Sequence, residues 1–231
     1  MFGVWHERSG LRFIRPRRVL QKGQCVSLQP FIRIQGPAVP LLQPNVDTDV
    51  IIRIERMTAM PREEWGRWAL EPLRYRADGS EDPESIFNRA PFRNAPILLA
   101  GPNFGCGSSR EPAVNALQGM GFRCVIAPSF GDIFFANCFQ NGLLPIRMPL
   151  PQLTQLAAEC AQGALLTVDL QAKQVIDAEG TVFHFDIDPT RREALLKGLD
   201  DIGLTLQDEP LITAWQQADR LHRPWAWPQP Q

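Results

Sequence analysis

The chain has 231 residues, a length that predicts one large domain or one domain with extensions. Its formal net charge is −1, so no basic surface indicates binding to nucleic acid or to a membrane. Apolar residues make up 44% of the chain, enough for a core, but the longest apolar runs are far too short to span a bilayer. We therefore expect a soluble globular protein without nucleic-acid or membrane partners.

The cysteines and histidines form no metal-binding pattern. The cysteine count is odd and no C-x-x-C pair occurs, so neither a disulfide framework nor a zinc or iron–sulfur site is predicted. The histidines are scattered along the chain. We expect this chain to bind no metal and to reside in a reducing, cytoplasmic compartment. The cysteines are Cys25, Cys106, Cys124, Cys138 and Cys160.

Residues 1–30 differ from the rest because they are strongly basic. They carry six Arg and Lys side chains against the single acid Glu7 and show no secretory-type apolar segment. An organelle transit peptide, a disordered basic arm and a start codon placed too early are all compatible with this composition. We favour the last two, because the folded pattern begins at Phe31.

From Phe31 onward, strand-like and helix-like segments alternate. Residues 50–52 are a short apolar run after a turn, and residues 58–90 predict a long irregular excursion, which is typically functional or mobile. Strands and helices then alternate in a way that is typical of an α/β protein with a parallel core. The segments are a strand at 96–100, a helix from about 109 to 119, a strand at 124–127, a helix at 132–141 and a strand at 143–146.

The rest of the chain predicts a different kind of sheet. Segments 165–170, 174–177 and 181–186 alternate apolar and polar residues, as antiparallel strands with one face on the core do. A final amphipathic helix is predicted over 191–199, and residues 223–231 hold too much proline for regular structure. The predicted fold is α/β, with a mainly parallel sheet flanked by helices and additional antiparallel strands.

A glycine loop, GPNFGCGSSREP at residues 101–112, lies between a predicted buried strand and a predicted helix. Backbone N–H groups and a helix N-terminus then point at one place, an arrangement that binds anions. Ser108 or Ser109 is suited to cap the helix, and Arg110 adds a fork that pairs with a carboxylate or phosphate. Pro112 fits the first helical turn, where its missing N–H has no intrahelical acceptor.

The loop does not match the common catalytic or nucleotide-binding patterns. A P-loop needs a lysine that is absent, the dinucleotide fingerprint needs glycine where Arg110 stands, and the nucleophile elbow needs glycine where Glu111 stands. A thiol nucleophile at Cys106 has only His184 as an internal candidate base. Because nothing local supports that pair, a small buried cysteine is the preferred interpretation.

Five ordered stretches resemble the small subunits of isopropylmalate dehydratases, in the aconitase superfamily. The similarity covers about residues 31–216 and implies a swivelling β/α/β domain, preceded by the basic extension at 1–30 and followed by a Pro/Trp-rich tail at 217–231. The stretches are NVDTDVII at 45–52, NFGCGSSRE at 103–111, IAPSFGDIF at 126–134, NGLLP at 141–145 and GLDDIGLTL at 198–206.

The resemblance implies a hydro-lyase that is active only with a partner. In that family, 2-isopropylmalate becomes 3-isopropylmalate by dehydration and rehydration, a step of leucine biosynthesis. The chemistry needs a Lewis acid for the hydroxyl, a base for the neighbouring proton and cationic clamps for two carboxylates. The resemblance implies a 4Fe–4S cluster on a separate large subunit, in a heterodimer or heterotetramer.

The resemblance also implies roles for residues of the glycine loop and its neighbours. Ser108 matches the family's base, whose pKa a helix N-terminus and a guanidinium can lower. Gly107, Ser109 and Arg110 match the binding site for a substrate carboxylate. Asp49 matches an active-site aspartate that orients a partner side chain, whereas Asp47 fits a simple Asx-type turn.

The resemblance implies that the excursion, taken from here on as residues 53–90, is the family's substrate-recognition loop. Arg53, Arg56 and Arg62 are candidates for a second carboxylate clamp, although any one of them fits a solvated surface charge equally well. Where this chain has Arg53 and Pro112, members of the family commonly have proline and histidine. These two differences bear on which substrate is preferred more than on the type of reaction. Alternatives are a hydro-lyase for another dicarboxylate, such as citraconate, methylmalate or homoaconitate, and a non-catalytic anion-binding module.

Overall fold

The computed structural model describes residues 28–108 and 110–227, which form a seven-stranded mixed sheet in the order β4-β3-β2-β1-β5-β6-β7. Strands β1 to β4 are parallel, and β5, β6 and β7 continue the sheet antiparallel from β1. This confirms the predicted fold class. The strands are β1 (Arg33–Leu41), β2 (Ile97–Ala100), β3 (Cys124–Ala127), β4 (Leu144–Arg147), β5 (Leu165–Asp169), β6 (Gln174–Ile176) and β7 (Val182–His184).

Helices cover both faces of the parallel strands and much of the remaining chain. Those after β2 and β3 confirm the predicted alternation, whereas α7, α9 and α10 were not predicted, so the helix near 191–199 is not the last. The helices are α1 (Thr48–Ile51), α2 (Ile54–Ala59), α3 (Trp65–Trp68), α4 (Glu71–Arg74), α5 (Glu111–Met120), α6 (Asp132–Gln140), α7 (Leu150–Ala161), α8 (Pro189–Lys197), α9 (Asp201–Leu206) and α10 (Glu209–His222).

The central strands are buried on both faces. In β2, Leu98 and Ala100 face a core shared with α5 and the excursion, while Ile97 and Leu99 face a second core shared with α7 and α8. This alternation follows from the two-residue period of a strand. A run that is apolar at every position is typical of a parallel strand between two helical layers.

The excursion is not the long irregular segment that the sequence predicted. It contains α2, α3 and α4 and two 3-10 turns, Arg62–Glu64 and Ile86–Asn88. Leu70 and Phe87 are buried in the first core. These helices have only four to six residues, and isolated helices shorter than about 12 residues are marginal in water. Tertiary packing therefore creates structure that the local sequence does not encode.

A buried arginine organises the excursion. The Arg74 guanidinium donates to the backbone oxygens of Arg67 and Ala69, each at 3.0 Å, and to the Asn88 side chain at 3.2 Å. The Asn88 side chain in turn donates to the Arg74 oxygen at 2.6 Å. Burial lowers the pKa of Arg74. The arginine thus supplies donors for carbonyls that end the short helix α3.

The ends of the chain are only partly described. Residues 1–27 and 228–231 lie outside the described residues, so the basic extension and the last residues of the tail stay predictions. The predicted boundary between residues 216 and 217 falls inside α10, and a 3-10 turn, Pro224–Ala226, follows it. No helix in the described part of the chain is long and apolar enough to cross a membrane.

Candidate active site

The glycine loop sits where the carboxyl ends of β1, β2 and β3 meet. Backbone hydrogen bonds tie it to the segments that follow β1 and β3. The Gly105 N–H donates to Val46 O at 2.7 Å, Thr48 N–H donates to Cys106 O at 3.0 Å, and Gly131 N–H donates to Phe104 O at 2.9 Å. Three chain segments are therefore joined by their main chains, and the loop has little freedom to move.

Two glycines of the loop serve different purposes. Gly105 has a φ of +70°, and a Cβ there would lie 2.3 Å from Cγ of the Phe134 ring. Gly107 has a φ of +90°, and a Cβ added there would lie 3.6 Å from the nearest atom, the Cβ of Asp47. Gly105 is thus required for packing, whereas a Cβ at Gly107 would make only ordinary contacts. Because Gly107 is exposed, a ligand can approach its main chain.

The segment after β1 places two neighbouring side chains against the loop. Asp47 caps α1 by accepting from the Val50 N–H at 2.7 Å, in agreement with its interpretation as a turn residue. Thr48 is buried, and its Oγ1 donates to the Ser108 carbonyl at 3.2 Å. The sequence analysis missed Thr48, the first residue of α1, because no local signal marks a bond to a carbonyl 60 residues away.

Asp49 and Arg110, both predicted site residues, form an ion pair between α1 and the end of the glycine loop. The Arg110 side chain is 17% exposed and that of Asp49 is 57% exposed. Because a guanidinium has five N–H donors, one carboxylate leaves Arg110 further donors for a second anion. The pair fixes the direction of Arg110 next to Ser108.

Ser108 is exposed, and its side chain forms no hydrogen bond to any residue in the described ranges. The expectation that Ser108 or Ser109 caps the following helix is wrong, because α5 begins at Glu111 and its N-cap residue is Arg110, which makes no side-chain capping bond. Ser109 itself lies outside the described residues. Pro112 lies in the first turn of α5, as predicted.

The three arginines of the excursion have different environments. Arg53 borders a cleft of about 340 Å³ together with Asp47 and Asp49. Arg56 instead forms a two-pronged ion pair with Glu71, at 2.9 Å and 2.7 Å, and stacks 3.6 Å from the centre of the Trp68 ring.

These environments separate the candidates for a second clamp. The hydrogen bond from Arg56 holds the pKa of Glu71 below its usual value. Arg62 donates to the Asn115 side chain at 2.6 Å. Arg53 alone of the three has no ion pair or side-chain hydrogen bond within residues 28–108 and 110–227. Its place in the cleft makes it the best placed of the three to receive a ligand.

Comparison with known proteins supports the resemblance. Family models match residues 28–151 (Aconitase C-terminal domain), 154–189 (LeuD_N) and 201–226 (the C-terminal domain of the 3-isopropylmalate dehydratase small subunit). A protein of Afipia carboxidovorans named 3-isopropylmalate dehydratase small subunit is 46% identical over 200 residues, which are 86% of this chain and all of that protein. This chain belongs to the 3-isopropylmalate dehydratase small-subunit family.

Other members of the family agree with this assignment. A protein of the same name from Rhodopseudomonas palustris strain TIE-1 is 46% identical over 201 residues, covering 86% of this chain and all of that protein. The solved 3-isopropylmalate dehydratase of Methanocaldococcus jannaschii shares 26% identity with a TM-score of 0.60, over 80% of this chain and 99% of that one. The family and the fold implied by the five sequence stretches are therefore confirmed.

The four cysteines in the described part of the chain are not arranged to hold a cluster. Burial raises the pKa of the Cys124 and Cys138 thiols, and burial raises that of Cys160 to about 12, so these groups remain protonated. No three His, Cys, Asp or Glu side chains converge on one point in the described ranges. Cys106 pairs with Asp47 through the backbone, whereas His184 ends β7 in the antiparallel half of the sheet.

A cavity of about 540 Å³ elsewhere is larger than the cleft that Arg53 borders. It lies between α6, β4 and the segment before α8, and it includes Arg147, His184 and Arg191. It shares no residue with the glycine loop or with the Asp49–Arg110 pair. Size alone therefore does not identify the site of this family member, and we assign the site from its chemistry.

Proposed function

We propose that this chain is the small subunit of a 3-isopropylmalate dehydratase and that, with a large subunit, it interconverts 2-isopropylmalate and 3-isopropylmalate. The observation that carries the proposal is the exposed main chain at Gly107 and Ser108 beside the Asp49–Arg110 pair. The agreement over the full length of the named relatives supports it.

In this proposal, Ser108 is the base of the dehydration step. Its Oγ, as the alkoxide, takes the proton from the carbon next to the one that bears the hydroxyl, and the C–O bond breaks with loss of hydroxide. In the rehydration, hydroxide adds to the carbon that lost the proton, and the Ser108 hydroxyl returns its proton to the carbon that lost the hydroxyl. Thr48 holds the Ser108 carbonyl, so the main chain at the base cannot rotate freely. The N-terminus of α5, which begins three residues later, favours an oxyanion at this position.

Arg110 binds one substrate carboxylate, helped by Ser109 and by backbone N–H groups at Gly107. Asp49 is a positioning residue, because it touches Arg110 and directs the guanidinium. Arg53 binds the second carboxylate from the side of the cleft, whereas Arg56 is held by Glu71 and acts through the shape of the excursion. The 4Fe–4S cluster, when bound on the large subunit, supplies the Lewis acid for the hydroxyl.

The test is Ser108→Ala in the reconstituted two-subunit enzyme. Removal of a general base costs about 10²–10⁴-fold in rate, so we expect kcat to fall by about 10³-fold while the subunits still assemble. Ser80→Ala is the matched control, because Ser80 lies in an exposed turn of the excursion, away from the glycine loop. Unchanged turnover in Ser108→Ala would refute the assignment of the base.

The same assay separates the substrates. Arg53 stands where the family commonly has proline and borders the cleft, so the side of the site that receives the second carboxylate differs chemically. We expect turnover of 2-isopropylmalate to exceed that of citraconate and homoaconitate. A reversed order would assign the chain to a related hydro-lyase, and binding without turnover of any of them would leave an anion-binding module.

A further inference from the structure

The last long helix, α10, carries its apolar side chains on the solvent side. Leu211, Trp215 and Leu221 are 70%, 59% and 84% exposed, and no residue of α10 is buried. An amphipathic helix normally turns its apolar stripe toward the core. We call the following exposed residues the α10 stripe: Leu211, Ala214, Trp215, Ala218 and Leu221.

The stripe has the spacing of a helix that fits into an apolar groove. Its positions are i, i+3, i+4, i+7 and i+10, which lie along one side of a helix. The half-buried residues Ile212, Gln216 and Asp219 lie on a different side. The contacts that α10 does make within this chain are therefore not made by the stripe.

The segment that follows α10 is held to Asp219, and no described residue covers the stripe. Asp219 accepts from Arg223 Nε at 2.7 Å and from Trp227 Nε1 at 3.0 Å, and the Arg220 guanidinium lies 4.7 Å from the centre of the Trp227 ring. The chain thus folds back along the Asp219 side. Trp225, in the returning turn, is 77% exposed and adds a second large aromatic surface.

A line of surface residues leads from the active site to α9, the helix that precedes α10. Helix α6 starts beside the glycine loop, where Gly131 N–H donates to Phe104 O. Ile133, in its first turn, is 50% exposed and lies on the same side of α6 as Ala136 and Gln140. Those two residues border a groove of about 310 Å³ whose other wall includes Leu204 of α9.

We propose that the α10 stripe docks into an apolar groove of the cluster-bearing large subunit, an inference that rests on the proposed function. The segment is a family feature, since residues 201–226 match a model specific to this small subunit. A second copy of this chain could cover the stripe but would add nothing to the site. The large subunit has to approach the glycine loop, and the exposed surface leads from there to α9.

The size of the stripe suits part of such an interface. Large aromatic side chains bury about 150–250 Å² each, and a standard interface takes about 800 Å² from each partner. Trp215, with the two leucines, supplies part of that area, and the surface around the glycine loop supplies the rest. Aromatic anchors of this kind carry most of the binding energy in protein interfaces.

The test measures the affinity of the full-length chain for the purified large subunit by titration calorimetry. We expect Trp215→Glu to weaken binding by about 100-fold, as the loss of a central aromatic anchor does. Thr213→Glu, an exposed polar position of the same helix outside the stripe, is the matched control and should change the affinity less than about 3-fold. Circular dichroism of both variants should equal that of the wild type, because α10 has no buried residue.

Hydrogen exchange gives an independent readout on the wild-type chain. The amides of α10 should exchange more slowly once the large subunit is bound, and unchanged exchange would overturn the docking proposal. Equal affinities of Trp215→Glu and Thr213→Glu would also overturn it. A homodimer that Trp215→Glu disrupts, with large-subunit binding unaffected, would assign the stripe to a second copy.

The outcomes also separate this proposal from the proposed function. If the wild-type pair assembles and turns over 2-isopropylmalate while the stripe variant binds equally well, only the docking proposal fails. If the wild-type chain does not bind the large subunit at all, the proposed function fails and the docking proposal fails with it.

Discussion

The glycine loop and the excursion both border the site, but they are held in place by different chemistry. The glycine loop is fixed by main-chain hydrogen bonds to the segments after β1 and β3, and by the close approach of Gly105 to Phe134. The excursion is fixed by arginine side chains, chiefly Arg74 on backbone carbonyls and Arg56 on Glu71.

In the proposed function, this difference separates the part that performs chemistry from the part that selects the substrate. A loop held by its backbone keeps its geometry only while its glycines remain, so few substitutions are tolerated. A segment held by side chains can be reshaped by changing one ion pair. The comparison can be tested by breaking each kind of support in turn.

The largest effect on stability is expected at Gly105. In Gly105→Ala, the new Cβ would collide with the Phe134 ring at 2.3 Å and sit at a φ of +70°. Overpacking costs about 1–3 kcal/mol and the left-handed backbone about 1–2 kcal/mol, so the free energy of unfolding should fall by about 2–5 kcal/mol in urea titrations. In Gly107→Ala, the new Cβ would lie 3.6 Å from its nearest neighbour, so the free energy of unfolding should fall by only about 1–2 kcal/mol. Equal losses would show that the collision does not matter.

The next largest effect is expected at Arg74, the main side-chain support of the excursion. Arg74→Met leaves the buried carbonyl of Ala69 without its donor. Each unsatisfied buried group costs about 1–3 kcal/mol, so we expect a loss of about 2–4 kcal/mol. Arg89→Met changes an exposed side chain of the excursion that has no ion pair or ring contact in the described part of the chain and should cost less than about 0.5 kcal/mol. A similar result for both variants would contradict the role of Arg74.

The smallest effect concerns the Arg56–Glu71 pair and depends on pH. Because Arg56 holds the pKa of Glu71 below its usual value of 4.5, the pair stabilises the fold above that value and loses its contribution as the pH falls through the lower, folded-state pKa. Glu71→Gln should therefore cost about 1 kcal/mol at about pH 7 and progressively less in acid.

The control for this pair is Glu84→Gln, at an exposed position without an ion pair in the described part of the chain. Its free energy of unfolding should follow that of the wild type at every pH. If the cost of Glu71→Gln stays constant down to about pH 3, the ion pair is not the cause.

Strands β2 to β7 and the glycine loop could be predicted because their signals are local, whereas β1 was not predicted. A run such as 97–100 is apolar at every position, and the spacing of small residues in 101–112 marks a ligand loop. Helix α7 was missed because prolines at 149 and 151 obscure its start, and helices α2 to α4 are too short to have a sequence signal of their own. Thr48 was missed because its role depends on a carbonyl 60 residues away.

The sequence by itself determined the family, the parallel order of the central strands and the candidate residues of the site, because these follow from short ordered stretches and their periodicity. The tertiary structure decided the partners of those residues. It paired Arg110 with Asp49, held Arg56 on Glu71 and left Arg53 beside the cleft. It also left the α10 stripe exposed. The physical reason is that ion pairs and burial depend on distances across the fold, which residue spacing along the chain does not encode.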